Sequence, residues 1–276
     1  MFSDNHVHSS FSPDGTASME TMIRSAISKN FRELVITDHL DFDFPNPEFS
    51  QLNLEQYVTA FQTLKAKYEK NIQLRLGIEI GIQSHVTHLI NQVLEKFPFD
   101  FVIGSTHTVY GISCSSNEFF DQTLTRTAYL RYFEGLLSNI KHLNNYDVCG
   151  HLDFIARYNP RGSKELFPHD FAEILDTILK TIIETGHGIE LNTAGYLYGL
   201  NRTHPSLDVL QRYRALGGEI ITVGSDAHAP EHIGANFNLA YQLLKAADFN
   251  YITQFKERKP SFIKIDKLPK EHSNIA

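Results

Sequence analysis

Seven short apolar runs, each followed by a stretch with helical periodicity, constrain the fold of this chain more than any other feature. The runs are Phe2–Asn5, Leu34–Asp38, Leu74–Ile80, Phe101–Ser105, Val148–Gly150, Ile189–Asn192 and Ile220–Ser225. After them, "SMETMIRSAISKN", "LEQYVTAFQTLKAKYEK", "HVTHLINQVLEKF", "TAYLRYFEGLLSNIKHL", "DFAEILDTILKTIIETG", "SLDVLQRYRALG" and "NLAYQLLKAADF" repeat apolar residues at helical spacing. The first helix opens behind Thr16 or Ser18 as N-cap, with Glu20 in its first turn. Strand followed by helix, repeated, calls for parallel strands joined by helical crossovers. The 276 residues suit one α/β barrel, a fold of about 250 residues. No Pro/Gly/Ser-rich linker divides the chain, so a single domain is expected over 1–266, with a polar tail at 267–276.

Parallel barrels place their chemistry at the C-terminal ends of the strands. Here every run ends on polar residues: His6 and His8, then Asp38 and His39, then Glu79 inside "LRLGIEIG". His107, His151, Asn192, and Asp226 with His228 close the remaining four. Side chains two apart on an extended segment point the same way, so His6 and His8 can converge on one ion. Asp226 and His228 can address a common site from the other end of the chain, and barrel closure sets the two motifs side by side. Imidazole with carboxylate is the ligand mix for Zn, Mn or Fe, and needs neither Cys114 nor Cys149.

Each residue also has a structural alternative. Glu79 can pair with a lysine, although a buried glutamate almost always has a partner or a metal. His107 and His151, taken singly, fit hydrogen-bonded core positions. Asp14 lies in Ser-Pro-Asp-Gly, where turn chemistry alone accounts for it. The other eight histidines (His85, His88, His142, His169, His187, His204, His232, His272) fall on helices or connections and read as solvated or structural. Cys149 reads as a small buried thiol.

The formal charge of −7 and the dispersed lysines and arginines argue against a nucleic-acid or membrane surface. Two cysteines make no disulfide framework, no run is long enough to span a membrane, and the start lacks a signal-peptide pattern. A cytoplasmic location is the expectation.

In these motifs the chain resembles the PHP (polymerase and histidinol phosphatase) metal-dependent phosphoesterases. Asp-x-His-x-His reads Asp4–His8, Thr-Asp-His reads Thr37–His39, and the internal glutamate is Glu79. Gly-Ser-x-His reads Gly104–His107, Gly-His-x-Asp reads Gly150–Asp153, and Ser-Asp-Ala-His reads Ser225–His228. All occur in order between residue 4 and about 234. Length and the stretches "GHLDFIARY" and "ELNTAGY" are most similar to the stand-alone histidinol-phosphate phosphatases. The resemblance implies a distorted (β/α)7 barrel with three divalent ions, zinc or manganese, with iron as a further option. His6, His8, Glu79 and Asp226 would hold the first, Asp14, His39 and His228 the second, and Glu79 with His107 and His151 the third. It implies Asp4 and Asp38 as groups that orient ligating imidazoles.

The implied activity is hydrolysis of L-histidinol phosphate, a small phosphomonoester, to L-histidinol and phosphate by a metal-activated hydroxide. Arg157, Arg161 and Arg202 on strand-to-helix loops, with Asn192, are the candidate substrate contacts, since a guanidinium fork binds two phosphoryl oxygens. Asp153, Asp226 and His228 are candidates to protonate the leaving group. In the loop "LDFDFPNPEF", Asp41 or Asp43 is expected to face the substrate's ammonium. Alternatives are a phosphotyrosine phosphatase or exonuclease of the same family and a non-catalytic metal-binding module. An amidohydrolase also opens with His-x-His, but Glu79 and the late Asp-x-His fit it poorly. Oligomeric state has no signature in the sequence.

Overall fold

Each apolar run becomes a strand of one parallel sheet, and each periodic stretch becomes the helix that follows it. The computed structural model describes residues 3–120, 124–160 and 168–267. In chain order the elements are β1 (Ser3–Val7), α1 (Met19–Ser28), β2 (Glu33–Ile36), α2 (Leu54–Tyr68), β3 (Gln73–Gly81), α3 (Thr87–Lys96) and β4 (Phe101–Ser105). There follow α4 (Thr125–His142), β5 (Val148–Cys149), α5 (Ala172–Glu184), β6 (Gly188–Asn192), α6 (Leu207–Ala215), β7 (Ile221–Gly224) and α7 (Phe237–Ala246). The expected tail lies outside the described residues from 268 onward, and so does Arg161.

Local chemistry sets these elements. Ser18 caps α1, its Oγ accepting from Thr21 N at 3.2 Å, and Met19, Met22, Ile23 and Ala26 form its buried stripe. Asn53 caps α2 in the same way, accepting from Gln56 N at 3.1 Å. β3 is buried from Leu74 to Gly81, as a parallel strand covered on both faces must be.

The strands run in spatial order β1 to β7, all parallel. The ends of this sheet meet through a single bridge, Val7 to Ala227, with His8 N donating to Ala227 O at 2.9 Å and Asp226 N to His6 O at 2.8 Å. The barrel is therefore distorted: it closes at the top, where the two chain ends carry their polar motifs.

One feature has no counterpart among the sequence expectations. A C-terminal hairpin, β8 (Tyr251–Lys256) and β9 (Lys259–Lys264), covers the opposite mouth. Phe255 packs on Val35, Phe101, Ile103 and Val148 inside the barrel. The turn residues Glu257 and Arg258 both adopt positive φ. Glu257 N donates to Asp100 Oδ1 at 3.0 Å and Arg258 Nε to Asp147 Oδ2 at 2.7 Å, where β4 and β5 begin.

Candidate metal centre

The polar residues that end the strands meet at the C-terminal mouth of the barrel. His6 Nε2 lies 3.0 Å from His8 Nε2. Glu79 Oε2 is 3.2 and 3.4 Å from these two nitrogens, and Asp226 Oδ1 is 3.6 and 3.4 Å from them. Each ring gives its Nδ1 hydrogen elsewhere: His6 to Glu190 Oε1 at 2.6 Å, His8 to Ser12 Oγ at 3.1 Å. Ser12 donates its own hydrogen to Asp38 Oδ1 at 2.7 Å, so it accepts from His8. With both rings neutral, two bare imidazole nitrogens face two carboxylate oxygens. Such lone pairs repel one another unless a cation lies among them. Burial opposes charge on His6, but Glu190, Glu79 and Asp226 outweigh it and raise that ring well above its ordinary value, so the group draws positive charge to this spot.

Two further groups adjoin this one. His228 donates its Nδ1 hydrogen to the Asp226 carbonyl at 2.9 Å, which leaves Nε2 facing Asp14 Oδ2 at 3.2 Å. His39 Nε2 is 3.7 Å from the same oxygen, and the His39 and His228 rings flank His8 with centroids at 4.3 and 4.1 Å. On the other side Glu79 Oε1 is 2.9 Å from His151 Nε2 and 3.4 Å from His107 Nε2. Glu79 is therefore central: its Oε2 is also 3.0 Å from His39 Nδ1, which lies 3.5 Å from Asp41 Oδ2, although neither contact has hydrogen-bond geometry. Donor atoms close enough to share an ion occur as His6–His8–Glu79, His8–His39–His228 and His39–Glu79–His107. These groups overlap more than the expected partition, with His8 reaching toward the second group and His39 toward the third.

Burial opposes charge on Glu79 and Asp226, yet the imidazoles around them, and for Asp226 also Arg157, hold both well below the usual carboxylate range. Burial, with His228 and His39 beside it, brings His8 down to about 3, so its ring is neutral. Burial also lowers His107, but Asp41 and Glu79 outweigh it and lift that ring to about 9.

Of the two groups expected to orient imidazoles, Asp38 acts on a ring through Ser12 and Asp4 touches none. Asp4 accepts from Ser225 N at 2.9 Å, Gly234 N at 2.9 Å and His6 N at 3.3 Å, so it pins backbone rather than a ring. Asp38 accepts from Ser9 N and Ser12 N and reaches His8 only through Ser12. The carboxylates on the rings are Glu190, on His6, and Asp41, on His107 at 2.6 Å. Asp43 pairs with His85 at 2.8 Å on the surface. The expectation of an open carboxylate over a substrate ammonium therefore fails for Asp43, and Asp41 is already engaged. Glu190 was legible by the same sign as Glu79, a glutamate inside an apolar strand ("GIELN" beside "GIEIG").

Over the cluster lies a cavity of about 330 Å³, walled by Phe44, Phe49, Phe154, Tyr158 and Tyr198, with Asn46, Ser113 and Ser115 among its polar groups. Asp14, His39, His107, His151, Asp226 and His228 form its floor, and Arg157 its side. Arg157 is buried, with Nη2 2.8 Å from Asp226 Oδ2, Nε donating to His204 Nε2 at 3.0 Å, and the Tyr198 ring 4.5 Å away. Asp153, Arg202 and Asn192, expected at the substrate, do not line this cavity. Asp153 pairs with Arg202 and takes the His204 Nδ1 hydrogen at 2.6 Å, which holds it below the usual carboxylate range despite burial. Asn192 donates to Glu190 Oε2 at 3.1 Å and Asp226 Oδ2 at 3.3 Å. His204, taken from sequence as solvated or structural, is fully buried as the link between Asp153 and Arg157. Cys149 is buried, as expected.

A family model described as PHP domain matches residues 4–194. The histidinol-phosphatase of Lactococcus lactis subsp. lactis is 34% identical, over 97% of each chain. A probable histidinol-phosphatase of Clostridium acetobutylicum is 28% identical, over 88% of this chain and 92% of its own. The crystal structure of the Lactococcus lactis histidinol phosphate phosphatase, complexed with zinc, L-histidinol and phosphate, superposes with a TM-score of 0.88 at 32% identity. It covers 94% of this chain and 98% of that one.

Proposed function

The chain belongs to the PHP-domain family, and from that premise we propose that it is a metal-dependent phosphatase that hydrolyses L-histidinol phosphate to L-histidinol and phosphate. The observation that carries the metal is the set of bare donor atoms: His6 and His8 Nε2 facing each other and both Glu79 Oε2 and Asp226 Oδ1. Glu79 Oε2 and His39 Nδ1, 3.0 Å apart and without a hydrogen bond of good geometry, fit the same cause. His6, His8, Glu79 and Asp226 would hold one ion, Asp14, His39 and His228 a second, and Glu79, His107 and His151 a third, with zinc or manganese suited to this donor set. Bound there, such ions lower the pKa of water toward about 7 and neutralise phosphoryl charge.

The chain's own residues supply the rest. Arg157 presents a guanidinium at the cavity wall beside the cluster, fixed by Asp226 on one side and His204 on the other, where it binds phosphoryl oxygens as charge develops. Asp153 acts through His204, taking its Nδ1 hydrogen so that Nε2 accepts from Arg157. Of the candidates to protonate the leaving oxygen, Asp226 and His228 line the cavity and Asp153 does not. Asp226, held as a carboxylate, has no proton to give, which leaves His228 or water at the cavity floor. The aromatic wall excludes water, and 330 Å³ accommodates a small amino alcohol phosphate.

A substrate panel tests the reading. L-histidinol phosphate should exceed phosphotyrosine and p-nitrophenyl phosphate in kcat/KM by orders of magnitude; equal or reversed preference refutes it.

A further inference from the structure

We infer that Glu190 is a positioning residue that fixes the imidazole of His6 and the backbone of His151, and so sets how tightly the metal cluster is held. This rests on the metal-dependent reading given above. Glu190 stands in the middle of β6 with its side chain inside the barrel, beneath the cluster. Its Oε1 accepts from His6 Nδ1 at 2.6 Å. Its Oε2 accepts from His151 N at 3.0 Å and Asn192 Nδ2 at 3.1 Å. One carboxylate thus touches residues from β1, the β5 end and β6, and through Asn192 it reaches Asp226 at 3.3 Å.

Two features set this apart from an ordinary core polar contact. First, Glu190 is 1% exposed, and no lysine or arginine forms an ion pair with it among the described residues. A buried carboxylate without a cation costs several kcal/mol, on the order of what a whole domain can spare, so its placement needs a compensating positive centre. His6 is the partner whose ring links it directly to such a centre. With its Nδ1 hydrogen committed to Glu190, His6 presents a bare Nε2 to His8, Glu79 and Asp226. Second, the neighbouring strand is cut away to make room. A Cβ on Gly224 would stand 2.3 Å from Glu190 Oε1 and 2.5 Å from His6 Cβ. The glycine that ends β7 is required by the pair beneath the cluster and not by its own backbone, which has no positive φ.

The test compares the full-length wild type with Glu190→Gln, a substitution of equal size that removes the charge and replaces one of the two acceptor oxygens by an NH2 group. Both are loaded with zinc and titrated with a chelator, and zinc retained by the protein is measured by mass spectrometry. Thermal unfolding of both metal-free forms is recorded in parallel. The inference predicts that Glu190→Gln releases zinc at roughly 10- to 100-fold lower chelator concentration, while the metal-free Tm is not lowered. Release at the wild-type concentration overturns it. So does a fall in metal-free Tm, or an insoluble variant, because either assigns Glu190 to packing. A wild type that takes up no zinc overturns the metal reading itself, an outcome distinct from equal retention by both proteins.

Discussion

Replacing Arg157 by alanine is the perturbation with the most readable consequences. The guanidinium contributes a 2.8 Å ion pair to Asp226 and a 3.0 Å hydrogen bond to His204, all three groups being buried. Breaking a buried ion pair by removing one partner costs about 3–5 kcal/mol, and an orphaned neutral acceptor such as His204 Nε2 adds about 1–3 kcal/mol. Part of this is recovered when water enters the cavity that Arg157 lines. The metal-free Tm should therefore fall, by about 2–4 °C for each kcal/mol that survives in a chain of this size. Catalysis reports separately. A charge-assisted contact to the phosphoryl group is worth about 3–4 kcal/mol in the transition state, so kcat/KM should drop about 10²–10³-fold. Arg157→Lys should fall between, since it keeps a charge but loses the fork and the Nε donor. The assay is steady-state phosphate release normalised to folded, zinc-loaded protein. A kcat/KM within about threefold of wild type after that normalisation would refute the placing of Arg157 at the phosphate.

Other perturbations address the remaining parts. His8→Ala and Asp226→Asn should each cost orders of magnitude in kcat, with the double variant little worse than the worse single one; multiplying losses would show that the two do not serve one ion. Asp41→Asn removes the acceptor for His107 Nδ1 and should weaken zinc retention about 10- to 100-fold, whereas unchanged retention on chelator titration would remove it from the cluster. Burial lifts Asp147 to about 6, against the pull of Arg258. Its folded-state value therefore exceeds the unfolded one near 4, and its contribution, full below about pH 4, is lost as pH rises through about 6. The unfolding free energy of wild type minus that of Asp147→Asn should accordingly fall by about 2–3 kcal/mol between pH 4 and 7, and a flat difference in denaturant titrations contradicts this.

The sequence carries the barrel because most of its strands read as short apolar runs buried on both faces and its helices are amphipathic, and these two patterns are hard to confuse. Glu79 was visible because nothing but a partner or a metal excuses a glutamate in "LGIEIG", and His6, His8, Asp226 and His228 because an i, i+2 pair has one geometry. Glu190 carries the same sign as Glu79 in "GIELN", one strand period before Asn192. Asp4 holds backbone N–H groups and Asp38 acts on His8 only through Ser12, because spacing along a chain does not say whether a carboxylate meets a ring or a backbone N–H. Arg202 and Asp153 lie on different loops, so their mutual pairing, which withdraws both from the cavity, is a tertiary fact. The C-terminal hairpin turns on Glu257 and Arg258 at positive φ, residues that carry none of the Asn-Gly or Asp-Gly signal of such turns.

The most direct measurement is phosphate release from L-histidinol phosphate by the chelator-stripped chain before and after zinc is restored. Activity should be absent from the stripped protein and return as zinc is added, saturating only when the cluster is filled, with His8→Ala failing to recover. Full activity in the stripped chain, or none at any zinc or manganese concentration while the protein remains folded, would contradict the account.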